Sequence, residues 1–112
     1  TVDGGGSAIT TGVKGYVQVP FAMTITENTF LCDQSGSIVI DVWKDTYANY
    51  PPVDADSITA SAPPTITTAT KSTDSTLTGW TTAVTAEDIL GFNVDSITTV
   101  QRCHLIIFGN KT

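Results

Sequence analysis

Charge is scarce in this chain, and positive charge scarcer still. Only 14% of its 112 residues are charged, with five Lys and Arg against eleven Asp and Glu, and the formal net charge is −6. Affinity for a nucleic-acid backbone comes from basic side chains that displace counterions, so a handful of scattered Lys and Arg excludes that partner. Histidine occurs once, as His104, and cysteine twice, as Cys32 and Cys103, without metal-ligand spacing. No run approaches the roughly 18 consecutive apolar residues of a membrane-spanning helix. The opening TVDGGGSAITTG has no apolar signal-peptide core. The expectation is a chain with no nucleic-acid partner, no membrane insertion, no metal and no cofactor.

What is present favours strands. Threonine is abundant, Ser and Gly follow it, and good helix formers are few. The branched Cβ of Thr and Val packs well on a pleated surface and loses rotamer freedom in a helix. A chain of this length makes one domain, able to bury roughly two thirds of its unfolded surface around a single core. Residues 1–12 read as a Gly-rich N-terminal arm and residues 13–112 as the domain proper. Such an arm, if ordered, needs something to lie on, either its own domain or a neighbouring subunit.

From Lys14 the chain alternates apolar and polar residues in short runs. KGYVQV (14–19) is followed by AMTITENTFLCD (22–33), which breaks phase near Glu27–Asn28 as at a bulge. GSIVIDVWKD (36–45) sets Ile38, Ile40 and Val42 on one face and Val39, Asp41 and Trp43 on the other, after a turn at Ser35–Gly36. DSITAS (56–61) and PTITTAT (64–70) are weaker strands, with Pro63–Pro64 marking an edge. STLTGWTT (75–82), ILGFNVDS (89–96) and TVQRCHLIIFGN (99–110) complete the set. One helical turn is expected at TAEDI (85–89), where Thr85 can cap and Glu87–Asp88 suit a first turn. The fold class expected is all-β: an antiparallel sandwich, jelly-roll-like, of about seven or eight strands.

Chemistry is hard to find in this pattern. Cys103 and His104 are adjacent, but consecutive strand residues point to opposite faces, so thiol and imidazole cannot meet. No Gly-x-Ser-x-Gly elbow accompanies His104. Asp54 and Asp56 share a face in extended chain, yet lack the surrounding pattern of a calcium loop, and read as solvated charge. Gly4–Gly6 precede no strand-to-helix unit and read as linker, and the Asn110-Lys111-Thr112 sequon carries little weight. The expectation is therefore no catalytic residue and no enzyme. The two cysteines have two readings, buried thiols acting as small apolar residues or one disulfide between the second strand and the last. The second requires Cα atoms within about 7 Å.

Two candidate surfaces remain. Asp45-Thr46-Tyr47-Ala48-Asn49-Tyr50-Pro51-Pro52 combines flat rings with short polar groups, which suits sugar recognition through Tyr47, Asn49 and Tyr50. It equally suits a structural corner, with Asp45 and Asn49 bonding turns and prolines fixing the exit. On the last strand Cys103, Leu105 and Ile107 are expected to face the core, leaving His104, Ile106 and Phe108 outward. Ile106 and Phe108, beside an outward Trp43, would form an apolar patch of the kind that contacts another chain.

These residues carry a family resemblance. GYVQVPFAMTIT (15–26), DQSGSIVIDVWKDTYANYPP (33–52), Trp80 in LTGWTT and ILGFNVDSITTV (89–100) together resemble small β domains of tailed-bacteriophage virion proteins. Such domains occur in tail fibres, tail tips and capsid decoration, and the central block is the most specific part. The resemblance implies a jelly-roll-type sandwich, a virion location after assembly in the host cytoplasm, and partners that are further copies or other virion proteins. A host-surface glycan is the other partner it implies. Cys32 and Cys103 depart from the pattern, which has small or aliphatic residues there, and this favours thiols that fill core positions.

Overall fold

The computed structural model describes residues 1–112. Its elements in chain order are β1 (Val2–Asp3), β2 (Gly12–Gln18), β3 (Met23–Asp45), two single 3-10 turns (Tyr47–Asn49 and Asp54–Asp56), β4 (Thr65–Asp74), β5 (Ala83–Val84), β6 (Ile89–Thr98) and β7 (Arg102–Lys111). All pairings are antiparallel, in the order β1-β7-β3-β6-β2, with β4 and β5 also on β3. The all-β antiparallel architecture matches the expectation, as seven strands of a sandwich that is almost closed into a barrel.

One element organises the rest. The two central runs, expected as separate strands, form the single 23-residue strand β3. On one edge β3 pairs with β6 from Asp45 back to Ser37, and then with β7 from Cys32 back to Met23. On the other edge it pairs with β4, with register breaks around Gly36. β3 therefore belongs to both layers and is bent between them.

The residues at the bend explain its chemistry. The Asp33 carboxylate accepts the backbone N–H groups of Gln101 (3.3 Å) and Arg102 (3.1 Å), and the Gln34 amide donates to the Thr99 carbonyl (3.1 Å). The Ser37 hydroxyl accepts from the Thr68 N–H (3.0 Å), where β4 turns through a left-handed Thr68 (φ 46°). A Cβ on Gly36 would sit 2.5 Å from the Thr98 carbonyl oxygen and 2.8 Å from Val100 Cγ2. Glycine here allows the β6–β7 connection to cross against β3. Ser35–Gly36 is thus a kink inside a strand rather than the turn expected between two strands.

The bend divides the core into two clusters. Ile9, Phe30, Ile38, Ile40, Ile66, Val94, Val100 and Cys103 form one. Val19, Ile25, Val42, Ile58, Leu77, Trp80, Val84 and Leu90 form the other, and Phe92 and Leu105 pack against both. The expected apolar face of Ile38, Ile40 and Val42 is essentially fully buried. The phase break near Glu27–Asn28 is present as a register shift between Ile25 and Glu27 against β7, and it turns Asn28 inward.

Other expectations are corrected. Residues 56–61 and 75–82 are not strands, because they cross the ends of the layers and anchor there through Ile58, Leu77 and Trp80. No helical turn forms at 85–89: Glu87 adopts a left-handed φ of 74°, and the buried Asp88 carboxylate accepts the Thr85 N–H (2.9 Å) instead of Thr85 capping Asp88. The Gly-rich arm lies on its own domain. β1 pairs with β7, Gly4 N–H donates to Gln101 O (2.7 Å), and Ile9 is buried in the first cluster.

A side chain at the bend has no room. Gly36→Ala is expected to cost about 2–3 kcal/mol of stability through the enforced backbone shift. Urea unfolding measures it, and a loss near zero would show that the crossing relaxes freely.

Candidate functional site

Two surfaces meet the description of a site: the flap of residues 46–59 over the outer face of β3 and β6, and the open seam between β2 and β7.

The flap is held by a buried carboxylate. Asp41 and Trp43 alternate with the core residues and so face away from the core, yet both are only 8% exposed. Asp41 Oδ1 accepts from the hydroxyls of Ser57 (2.6 Å) and Thr59 (2.7 Å), and Oδ2 from Trp43 Nε1 (3.0 Å). Ile58 N–H donates to the Val42 carbonyl (2.9 Å), and Ser57 bridges to Trp43. The chain thus covers with its own loop the face that the alternation leaves outward. Pro52 is fully buried against Gly91, where an added Cβ would lie 3.1 Å from the proline ring and 3.2 Å from the Tyr16 ring. Tyr50 meets Tyr16 edge to face, ring centroids 5.1 Å apart.

These contacts place the expected site residues as follows. Tyr47 is 71% exposed on its 3-10 turn, while Tyr50 is half occupied by Tyr16. Asn49 leans back on Asp45, whose carboxylate also accepts the Thr46 N–H (2.7 Å). The three lie on one loop, two of them engaged as the parts of a corner. Asp56 likewise accepts the Val53 N–H (2.9 Å) of its own turn. Trp43 does not join Ile106 and Phe108 in a patch: it pairs with Gly91 on β6 and is covered by the flap, whereas Ile106 pairs with Thr29 at the other end of β3. Trp43 as a surface for another chain is therefore corrected. Ile106 is half-buried and Phe108 exposed, on the outward face with His104. His104 Nδ1 lies 2.9 Å from the Thr1 hydroxyl, on the opposite side of β7 from the buried Cys103.

The seam was not legible in the sequence. β2 pairs only with β6, and β1 covers β7 only at Arg102–Cys103, so β2 and the rest of β7 each present an unpaired edge. Between these edges lie two hollows of about 230 Å³ each, which share Val17, Phe92 and Leu105 and so form one slot. One of the two hollows is lined entirely by apolar side chains, among them Ile25, Leu90 and Ile107. Val17 at its lip is 53% exposed, and Tyr16 and Val13 on the same strand are open as well. The one available signal was β2 itself, where Val17 and Val19 alternate with Tyr16 and Gln18 and no pairing partner for the strand can be assigned.

No group of three or more His, Cys, Asp or Glu side chains converges anywhere, and no helix is long and apolar enough to cross a membrane. No known protein family, curated protein or solved structure matches the chain.

Removing the Asp41 carboxylate strands two buried donors, on Trp43 and Thr59, and the half-buried hydroxyl of Ser57. Asp41→Ala is expected to cost about 3 kcal/mol and to speed hydrogen exchange at the Ile58 amide. Unchanged exchange there would mean that the flap is held by Pro52 and Tyr50 alone.

Proposed function

We propose that this chain is a non-enzymatic structural domain of a tailed-bacteriophage virion, of the tail-fibre or capsid-decoration type, that works by assembling with further copies of itself. Its place would be the extracellular particle, in contact with the host surface. The sequence support is the resemblance of residues 15–26, 33–52 and 89–100 to such domains. The residues 33–37 within it serve architecture, since they stitch the bend of β3.

The observation that carries the assembly reading is the seam. An unpaired strand edge is a row of backbone donors and acceptors ready to template another strand, and soluble proteins normally blunt such edges with charge or proline. β2 has one charged residue, Lys14, beside open Val13, Tyr16 and Val17. The β1 ladder already runs antiparallel along β7 at its first rungs, so an edge strand of a second copy would continue an existing pairing and cover the apolar slot. Two different edges meeting head to tail generate rings or filaments, the forms a repeating shell or fibre needs.

Light scattering across a concentration series checks this. The unaltered chain is expected to show species larger than one subunit at high concentration, and Val17→Lys to remain monomeric with unchanged thermal stability. A monomer throughout for both would overturn the reading.

The exposure of Tyr47 supports a second reading, a carbohydrate-binding module that presents Tyr47 and Tyr50 to surface glycans. Binding on a glycan array that disappears in Tyr47→Ala is its expected outcome; an array without signal ends it.

A further inference from the structure

Cys32 and Cys103 stand directly opposite each other in the β3–β7 ladder. Directly opposed residues of an antiparallel pair have Cα atoms about 4.5 or 5.5 Å apart and point their side chains to one face. Both values lie within the span that a disulfide bridges. The two side chains share an environment too: Cys103 is a member of the first core cluster and Cys32 packs against it. Both are thiols in the structure.

We propose that Cys32 and Cys103 are a cross-strand disulfide site, closed by exchange with a small-molecule disulfide. In the first step the Cys32 thiolate, the more accessible of the two, attacks one sulfur of the oxidant and expels one small thiolate, leaving a mixed disulfide. In the second the Cys103 thiolate attacks Cys32 Sγ and expels the other. Two protein thiols become one disulfide, and one oxidant disulfide becomes two thiols, with both electrons and both protons accounted for. In the reduced protein Cys32 Sγ leans toward β4, 3.2 Å from the Gln34 carbonyl and 3.5 Å from that of Ala69. Closure therefore begins with a rotamer step of about 120° at Cys32 χ1, which swings Sγ from β4 toward β7.

The surroundings set the rate. Burial raises the Cys32 thiol above its ordinary 9.0 and pushes Cys103 up to about 11, outweighing the nearby N-terminal ammonium that lowers it. Thiolate is the attacking species, so closure in the folded protein is slow near neutrality and accelerates as the solution becomes alkaline. The bond, once made, ties β3 to β7 beside the bend and closes a long loop of chain. Its stabilisation comes chiefly from the unfolded state.

The test incubates the reduced, folded protein with oxidised glutathione at neutral and alkaline pH. Expected are a mass lower by two hydrogen atoms and, after tryptic digestion without reductant, the fragment 15–44 joined to 103–111. The melting temperature is expected to rise by on the order of 10 °C, reversed by dithiothreitol. Cys32→Ser and Cys103→Ala, each compared with its own untreated sample, should show neither the link nor the rise. Stable glutathione adducts without an internal link, linkage only in urea, or a linked protein that melts no higher would each overturn the assignment.

Discussion

The structure depends on the bend of β3. A strand of 23 residues, laid flat, would be far longer than the domain, and both of its faces would need cover. Bending it at Asp33–Ser37 folds one half over the other, so that Phe30 on one half and Ile38 and Ile40 on the other share one cluster. The bend is also the crossing point of three tracks, since β4 kinks at Thr68 and β6 passes into β7 at Thr98–Gln101 in the same place. Asp33, Gln34 and Ser37 satisfy the backbone groups that these kinks release from the ladders, and Gly36 lets them approach. Residues 33–37 are therefore the hinge of the architecture.

The same bend explains where surface is left open. Folding the layers over brings β2 toward β7 without providing a strand between them, and β1 fills only the first rungs of that gap. The two core clusters meet at Phe92 and Leu105, the side chains that also floor the seam. The seam is thus an incompletely closed core, and what it displays is backbone edge and aliphatic side chain. The flap is its counterpart on the other face, where Asp41 gathers three donors and closes a surface that would otherwise expose Trp43.

Strand periodicity made much of this legible. The core face of Ile38, Ile40 and Val42, the bulge near Glu27, the edge position of β4 after Pro63–Pro64, and the separation of Cys103 from His104 all follow from period-two alternation and proline chemistry. Failures came where a local signal had a tertiary meaning. Ser35–Gly36 has the composition of a turn, but its glycine answers the approach of Thr98 O, which lies far along the chain. Trp43 and Asp41 look outward by alternation, and only the return of Ser57 and Thr59 shows them covered. The seam is a property of which edges lack neighbours, and pairing order cannot be read from one strand at a time. The facing of Cys32 and Cys103 required the register between β3 and β7, for the same reason.

The bent strand also governs how the chain reaches its fold. β3 is complete by Asp45, yet β6 and β7, which line its longer edge, begin only at Ile89 and Arg102. Loop closure must be made before such distant pairings return anything, so a chain of this topology collapses late and as a whole. As the chain leaves the ribosome, β3 has an apolar face and one bare edge until β6 and then the ten residues of β7 arrive. The N-terminal arm waits equally long, because Ile9 and β1 dock on Val100 and Cys103. The arm and β7 are locked in the same event.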